Sequence, residues 1–186
     1  MHVLLLVVFV NFVGIGALIP VLPFTVIETL GLSATTMTLL LASFAFAMFL
    51  SNPLLGCLSD HVGRKPVLIF GLMVNVLAHI WFALSTHIVQ MFAARILAGL
   101  AAGNTGVIQA MIADRVNPGE RARYMGLFGA AIGTGFVAGP ALGGLFCGLG
   151  GAHLPFGFGV CVSSLLLFIV IVLKRRPAMQ PQCRQQ

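Results

Sequence analysis

The chain has 186 residues, of which 59% are hydrophobic and only 8% charged, and its formal net charge is +6. A soluble domain devotes roughly a quarter of its residues to charge, so this composition excludes a water-facing globule and makes lipid the solvent for most of the chain. Nucleic acid is excluded as a partner too. A binder of that kind gathers its charge on one face among aromatics, whereas here nine of the ten basic residues stand in short clusters between apolar runs.

A helix needs about 20 apolar residues to cross a hydrocarbon layer about 30 Å thick. Six stretches meet that length: residues 3–24, 35–55, 66–84, 88–113, 124–146 and 154–173. The fourth is long enough to require tilt. A cleavable signal peptide is not expected, because Met1-His2 offers no positive segment and the first run continues through Pro20 and Pro23. The membrane domain is therefore expected over residues 1–174, with a polar tail at 175–186.

The connections alternate in charge. Arg64 and Lys65 follow the second span, Arg115, Arg121 and Arg123 follow the fourth, and Lys174, Arg175, Arg176 and Arg184 follow the sixth. Between the others stand only Glu28, the segment Ser85-Thr86-His87, and a glycine-rich turn around Gly148 to Gly151. Positive charge is retained on the cytoplasmic side, so both termini are expected in the cytoplasm. An odd number of spans would scatter the basic residues across both faces.

The cysteines Cys57, Cys147, Cys161 and Cys183 show no metal-ligand spacing, and neither a disulfide nor a metal site is expected. No cofactor is expected either. Gly99, Gly103, Gly106 and Ala110 on the fourth span, and Gly135, Gly139 and Gly143 on the fifth, recur every three or four positions. Such spacing lets helix backbones approach within a bilayer. Asn75 and His79 on the third span, and Asn104 and Gln109 on the fourth, are ordinary candidates for hydrogen bonds between helices. Arg95 differs. An arginine within hydrocarbon costs about 2.5–3.5 kcal/mol on insertion scales, so it either serves function or reaches back to the interface.

The most informative segment joins the second and third spans: Gly56-Cys57-Leu58-Ser59-Asp60-His61-Val62-Gly63-Arg64-Lys65-Pro66. Its two glycines permit a tight reversal, and Pro66 can stand in the first turn of the next helix. Asp60 and Arg64 are spaced to pair with each other or with a neighbouring helix end.

This segment resembles the loop signature of the major facilitator superfamily, G-x-L-[AS]-D-x-x-G-R-[KR]-P. The run from Arg95 to Gly103 looks like that family's fourth-span motif. The run Gly135-Phe136-Val137-Ala138-Gly139-Pro140-Ala141-Leu142-Gly143-Gly144 resembles the fifth-span signature of its drug/proton antiporters. The first span around Asn11 and the loop from Ala113 to Arg123 are similar to those of the tetracycline efflux branch.

The resemblance implies an all-α membrane fold, a six-helix bundle forming the amino-terminal half of a twelve-span transporter in a bacterial inner membrane. It implies proton-coupled efflux of a drug-like molecule such as tetracycline. Asp60, Arg64, Lys65 and Asp114 would form a cytoplasmic gating network, and Arg95 would couple protons. Gly99, Gly103, Gly135, Gly139, Gly143 and Gly144 would serve packing, and Pro140 a kink. Asn11, Asn104 and Gln109 are candidates to line the substrate path. Asn11 stands where those antiporters carry an aspartate, and an amide hydrogen-bonds but does not titrate.

The expected partners are the lipid bilayer, a small molecule, protons, and either a missing carboxy-terminal half or a second copy. A fragment or truncation is the favoured expectation, and the chain alone is not expected to transport. Three rival readings stand beside this one. An intramembrane enzyme has no HExxH, no GxSxG and no carboxylate pair within a span to work with. The others are a sugar or metabolite transporter of the same superfamily and a non-transporting six-helix membrane protein.

Overall fold

The computed structural model describes residues 2–23, 26–27 and 31–150. The stretch expected as the sixth span, the polar tail, Glu28, Cys161 and Cys183 lie outside the described residues. The described chain is helical throughout. Helix α1 is His2–Ala17, α2 Ala34–Val62, α3 Arg64–Leu84, α4 Ile88–Ala102, α5 Asn104–Arg115 and α6 Arg121–Gly150. A short helical turn, Val21–Pro23, follows α1, and a 3-10 turn, Pro118–Glu120, precedes α6. Four stretches among the described residues are long and apolar enough to cross a membrane: α2, α3, α4 with α5, and Pro118–Leu145. Helix α1 is shorter and equally apolar.

Local chemistry explains the boundaries. Ser33 caps α2, its hydroxyl accepting from the Thr36 amide at 3.3 Å. At the other end Gly63, with φ of 102°, is the single residue between α2 and α3, and its amide donates to the Ser59 carbonyl at 3.0 Å. Residues with a Cβ rarely adopt that φ, so the reversal depends on Gly63. Gly56, by contrast, lies within α2 and makes no turn. The 29 residues of α2 reach about 43 Å at 1.5 Å each, longer than the hydrocarbon layer, so its last turns carry Asp60 clear of it.

The fourth span, expected as one helix, is divided at Gly103 into α4 and α5. Side chains of α2 take up main-chain groups at the break. Ser51 donates its hydroxyl to the Leu100 carbonyl at 2.5 Å, and Asn52 Oδ1 accepts from the Gly106 amide at 3.2 Å. A backbone broken inside a membrane is tolerated where neighbouring side chains satisfy its groups.

Helix α1 packs along α6, while α4 packs between α2 and α3. The first contact is backbone on backbone. A Cβ at Gly139 would lie 2.7 Å from the Gly16 Cα, and one at Gly143 would overlap the Ala17 carbonyl oxygen. On the other seam a Cβ at Gly99 would overlap the Phe44 carbonyl oxygen, and one at Gly103 would lie 2.5 Å from the Ser51 hydroxyl. Gly144 meets nothing within 4 Å. Pro140 sits inside α6, where it withdraws one backbone donor. Two apolar clusters fill the bundle. One gathers Val8, Leu68, Ile108 and Ile112 toward the Arg64 end, and the other gathers Leu22, Leu40, Phe82 and Met91 toward the opposite end. Phe46, Leu54 and Leu84 stay exposed, which suits lipid and not water.

Candidate functional site

Three groups of polar residues stand out, the first of them at one end of the bundle. Arg64 opens α3 directly after Gly63, which brings its guanidinium 3.5 Å from Asp60 Oδ1 in the last turn of α2. The same guanidinium forms an ion pair with Asp114, the penultimate residue of α5. One arginine thus ties together the ends of three helices. Lys65 is exposed and belongs to neither pair. Both carboxylates are more than half exposed, and pairs of that kind contribute roughly 0–1 kcal/mol each. The cluster is a weak tie, suited to opening.

The second group lies within the bundle. Arg95 on α4 is 4% exposed, so it does not reach back to the interface. Its guanidinium carbon lies 4.5 Å from the centre of the Phe82 ring on α3. Nε and Nη2 have no hydrogen-bond partner among the described residues. One turn from Phe82, His79 Nδ1 lies 2.8 Å from the Asn75 carbonyl. A carbonyl only accepts, so Nδ1 carries a proton and donates it. His79 and Arg95 border the same void of about 10 Å³.

The third is a cavity of about 470 Å³ between α1, α2, α4 and α6. Ile15, Phe44, Met48, Phe49 and Phe136 form much of its wall, and Asn52 and Arg95 are its polar lining side chains. Phe136 is held edge-on by Phe12, with ring centres 5.1 Å apart.

Asn11, Asn104 and Gln109, expected to line the substrate path, are not in the wall of this cavity. Asn11 is buried in α1 with Oδ1 unpartnered among the described residues, away from the cavity wall. Asn104 is turned toward α3, donating to the Leu68 carbonyl at 3.4 Å and packing on Gly71. Gln109 is exposed, with Nε2 3.8 Å from Met125 Sδ. Asn52 escaped notice in the sequence. The available signal was an amide in an apolar run directly before Pro53.

Long apolar helices, seams of small residues and a broken span stitched by neighbouring side chains define a multi-pass, all-α membrane protein. Residues 4–184 match the Major Facilitator Superfamily, and the chain belongs to that superfamily. It is 38% identical over 159 residues to "Multidrug resistance protein 2" of Bacillus subtilis (strain 168), a match covering 85% of this chain and 39% of that protein. It is 37% identical over 176 residues to "Tetracycline resistance protein, class H" of Pasteurella multocida, covering 93% of this chain and 44% of that one. The chain therefore spans less than half the length of these relatives. The fold is similar to that of the human organic anion transporter MFSD10 (TETRAN), with a TM-score of 0.80 at 23% identity. That match covers 92% of this chain and 46% of the transporter. The chain thus has the fold of one half of a major facilitator transporter.

Proposed function

We propose that the chain is the amino-terminal half of a proton-coupled exporter of a drug-like molecule, embedded in a bacterial inner membrane with both termini in the cytoplasm. The observation that carries this reading is the ion-paired cluster of Asp60, Arg64 and Asp114. It joins three helix ends by contacts weak enough to break and re-form as a transporter rocks. The names of the tetracycline and multidrug resistance relatives support the cargo class. Arg95, buried at the cavity wall, is the residue assigned to proton coupling. The described carboxylates, Asp60, Asp114 and Glu120, stand at helix ends and do not line the cavity. The cavity is completed by a carboxy-terminal half or by a second copy facing it.

The test is tetracycline uptake into inside-out membrane vesicles driven by a proton gradient. The chain is expressed alone and together with the carboxy-terminal half of the class H tetracycline protein. Flux is expected only with both halves. Asp60→Asn and Arg64→Ala are each expected to lower it severalfold at unchanged expression. Full flux in both variants refutes the latch, and absence of flux in every pairing refutes export.

A further inference from the structure

The cavity at Arg95 carries information about the charge of what it binds. An arginine in a low-dielectric bundle is tolerated when a carboxylate or a set of acceptors satisfies it. Arg95 has neither among the described residues. Its guanidinium carbon lies over the Phe82 ring, while Nε and Nη2 have no hydrogen-bond partner among those residues. The described carboxylates, Asp60, Asp114 and Glu120, line neither the cavity nor the adjoining void. His79 supplies no negative charge, since an imidazole is either neutral or cationic, and its Nδ1 faces the Asn75 carbonyl. Among the described residues the cavity therefore presents one positive charge with no carboxylate beside it, in a wall that is otherwise apolar and rich in phenylalanine, with Asn52 its other polar lining residue. Its volume of about 470 Å³ falls within the roughly 300–1,000 Å³ usual for drug-sized ligands.

We propose that this cavity takes an aromatic, drug-sized molecule bearing a single acidic group, with the oxyanion placed against the Arg95 guanidinium and the rings against Phe44, Phe49 and Phe136. The inference rests on the export reading for its setting and adds to it the charge of the cargo. A cationic molecule of the same shape would meet like charge with no carboxylate to offset it, whereas an oxyanion gains charge-assisted hydrogen bonds from donors that otherwise lack partners.

The experiment compares three probes of one skeleton: 2-naphthoate, neutral 2-naphthamide and 2-naphthylmethylammonium. Binding to the full chain is measured by calorimetry in nanodiscs of uncharged phosphatidylcholine, with empty nanodiscs subtracted. Naphthoate is expected to bind about tenfold more tightly than the ammonium, the least that one charge-assisted contact supplies. In Arg95→Gln that preference is lost, the affinities of naphthoate and the ammonium converging to within about twofold. Should Arg95→Gln fail to fold, Ala45→Asp decides, because a carboxylate in the lining of the same cavity must narrow or reverse the preference. Equal binding of all three probes by the natural chain, or a preference surviving both variants, overturns the charge inference and leaves export standing. Failure of all three to bind overturns both the inference and the cavity's part in export.

Discussion

Asn11 and Arg95 raise the same physical question, a polar group inside a bundle without a partner, and answer it differently. Asn11 Oδ1 is buried and unpartnered among the described residues and lines neither the cavity at Arg95 nor the void beside it. An unsatisfied buried acceptor costs about 1–3 kcal/mol. Asn11→Leu is therefore expected to raise the unfolding midpoint in detergent, read by scanning fluorimetry, by an amount equivalent to about 1 kcal/mol. A fall in the midpoint would show that the amide is held by a group outside the described residues. Arg95 borders open space, and its missing partner is one that a ligand can supply. The distinction between them was not legible in the sequence. Both are polar residues in apolar runs, and only the rotation of each helix decides which of them meets a cavity. The same rotation turns Asn104 to α3 and brings Asn52 to the wall.

At the scale of elements, small residues mark seams, and the seams are not equivalent. Gly143 leaves no room for a Cβ against the Ala17 carbonyl, whereas Gly129 on the same helix has nothing within 4 Å. Gly143→Ala is expected to destabilise the α1–α6 pair by about 1–3 kcal/mol, in the range for overpacking. Gly129→Ala should be neutral or stabilising by up to about 1 kcal/mol, as expected for alanine in a helix interior. Unfolding in mixed micelles distinguishes them, and equal effects would refute the seam. The break at Gly103 makes a further prediction. Asn52→Ala removes the acceptor of the Gly106 amide, and an interhelical hydrogen bond of this sort contributes about 0.6 kcal/mol, rising to 1.7 at most, in a membrane. A loss in that range, with faster amide exchange at Gly106, is the expected outcome. The helices themselves were legible because lipid demands about 20 apolar residues per crossing. The break was not, because its cause lies on another helix.

For the molecule as a whole, the alternation of charged and bare connections predicts sidedness, and Cys57 offers a direct test. It is free and exposed near the Asp60 end of α2. A membrane-impermeant maleimide should modify Cys57 in inside-out vesicles and spare it in intact cells, with the labelled peptide identified by mass spectrometry. Labelling in intact cells would invert the topology. The half-transporter fold was legible in the chain's signatures, since a glycine, an aspartate and an arginine at set intervals serve the geometry of three helix ends as well as topology. The position of the cavity was not, because it depends on four helices meeting.

Gly63 gives this architecture a kinematic property. A single residue joins α2 to α3, with no loop between them to absorb displacement. The two helices, about 50 residues, are hinged without slack, and Arg64 at the hinge is held by Asp114. A shift at the end of α5 would therefore reach both helices at once, as a change of angle and not as slack taken up by a loop.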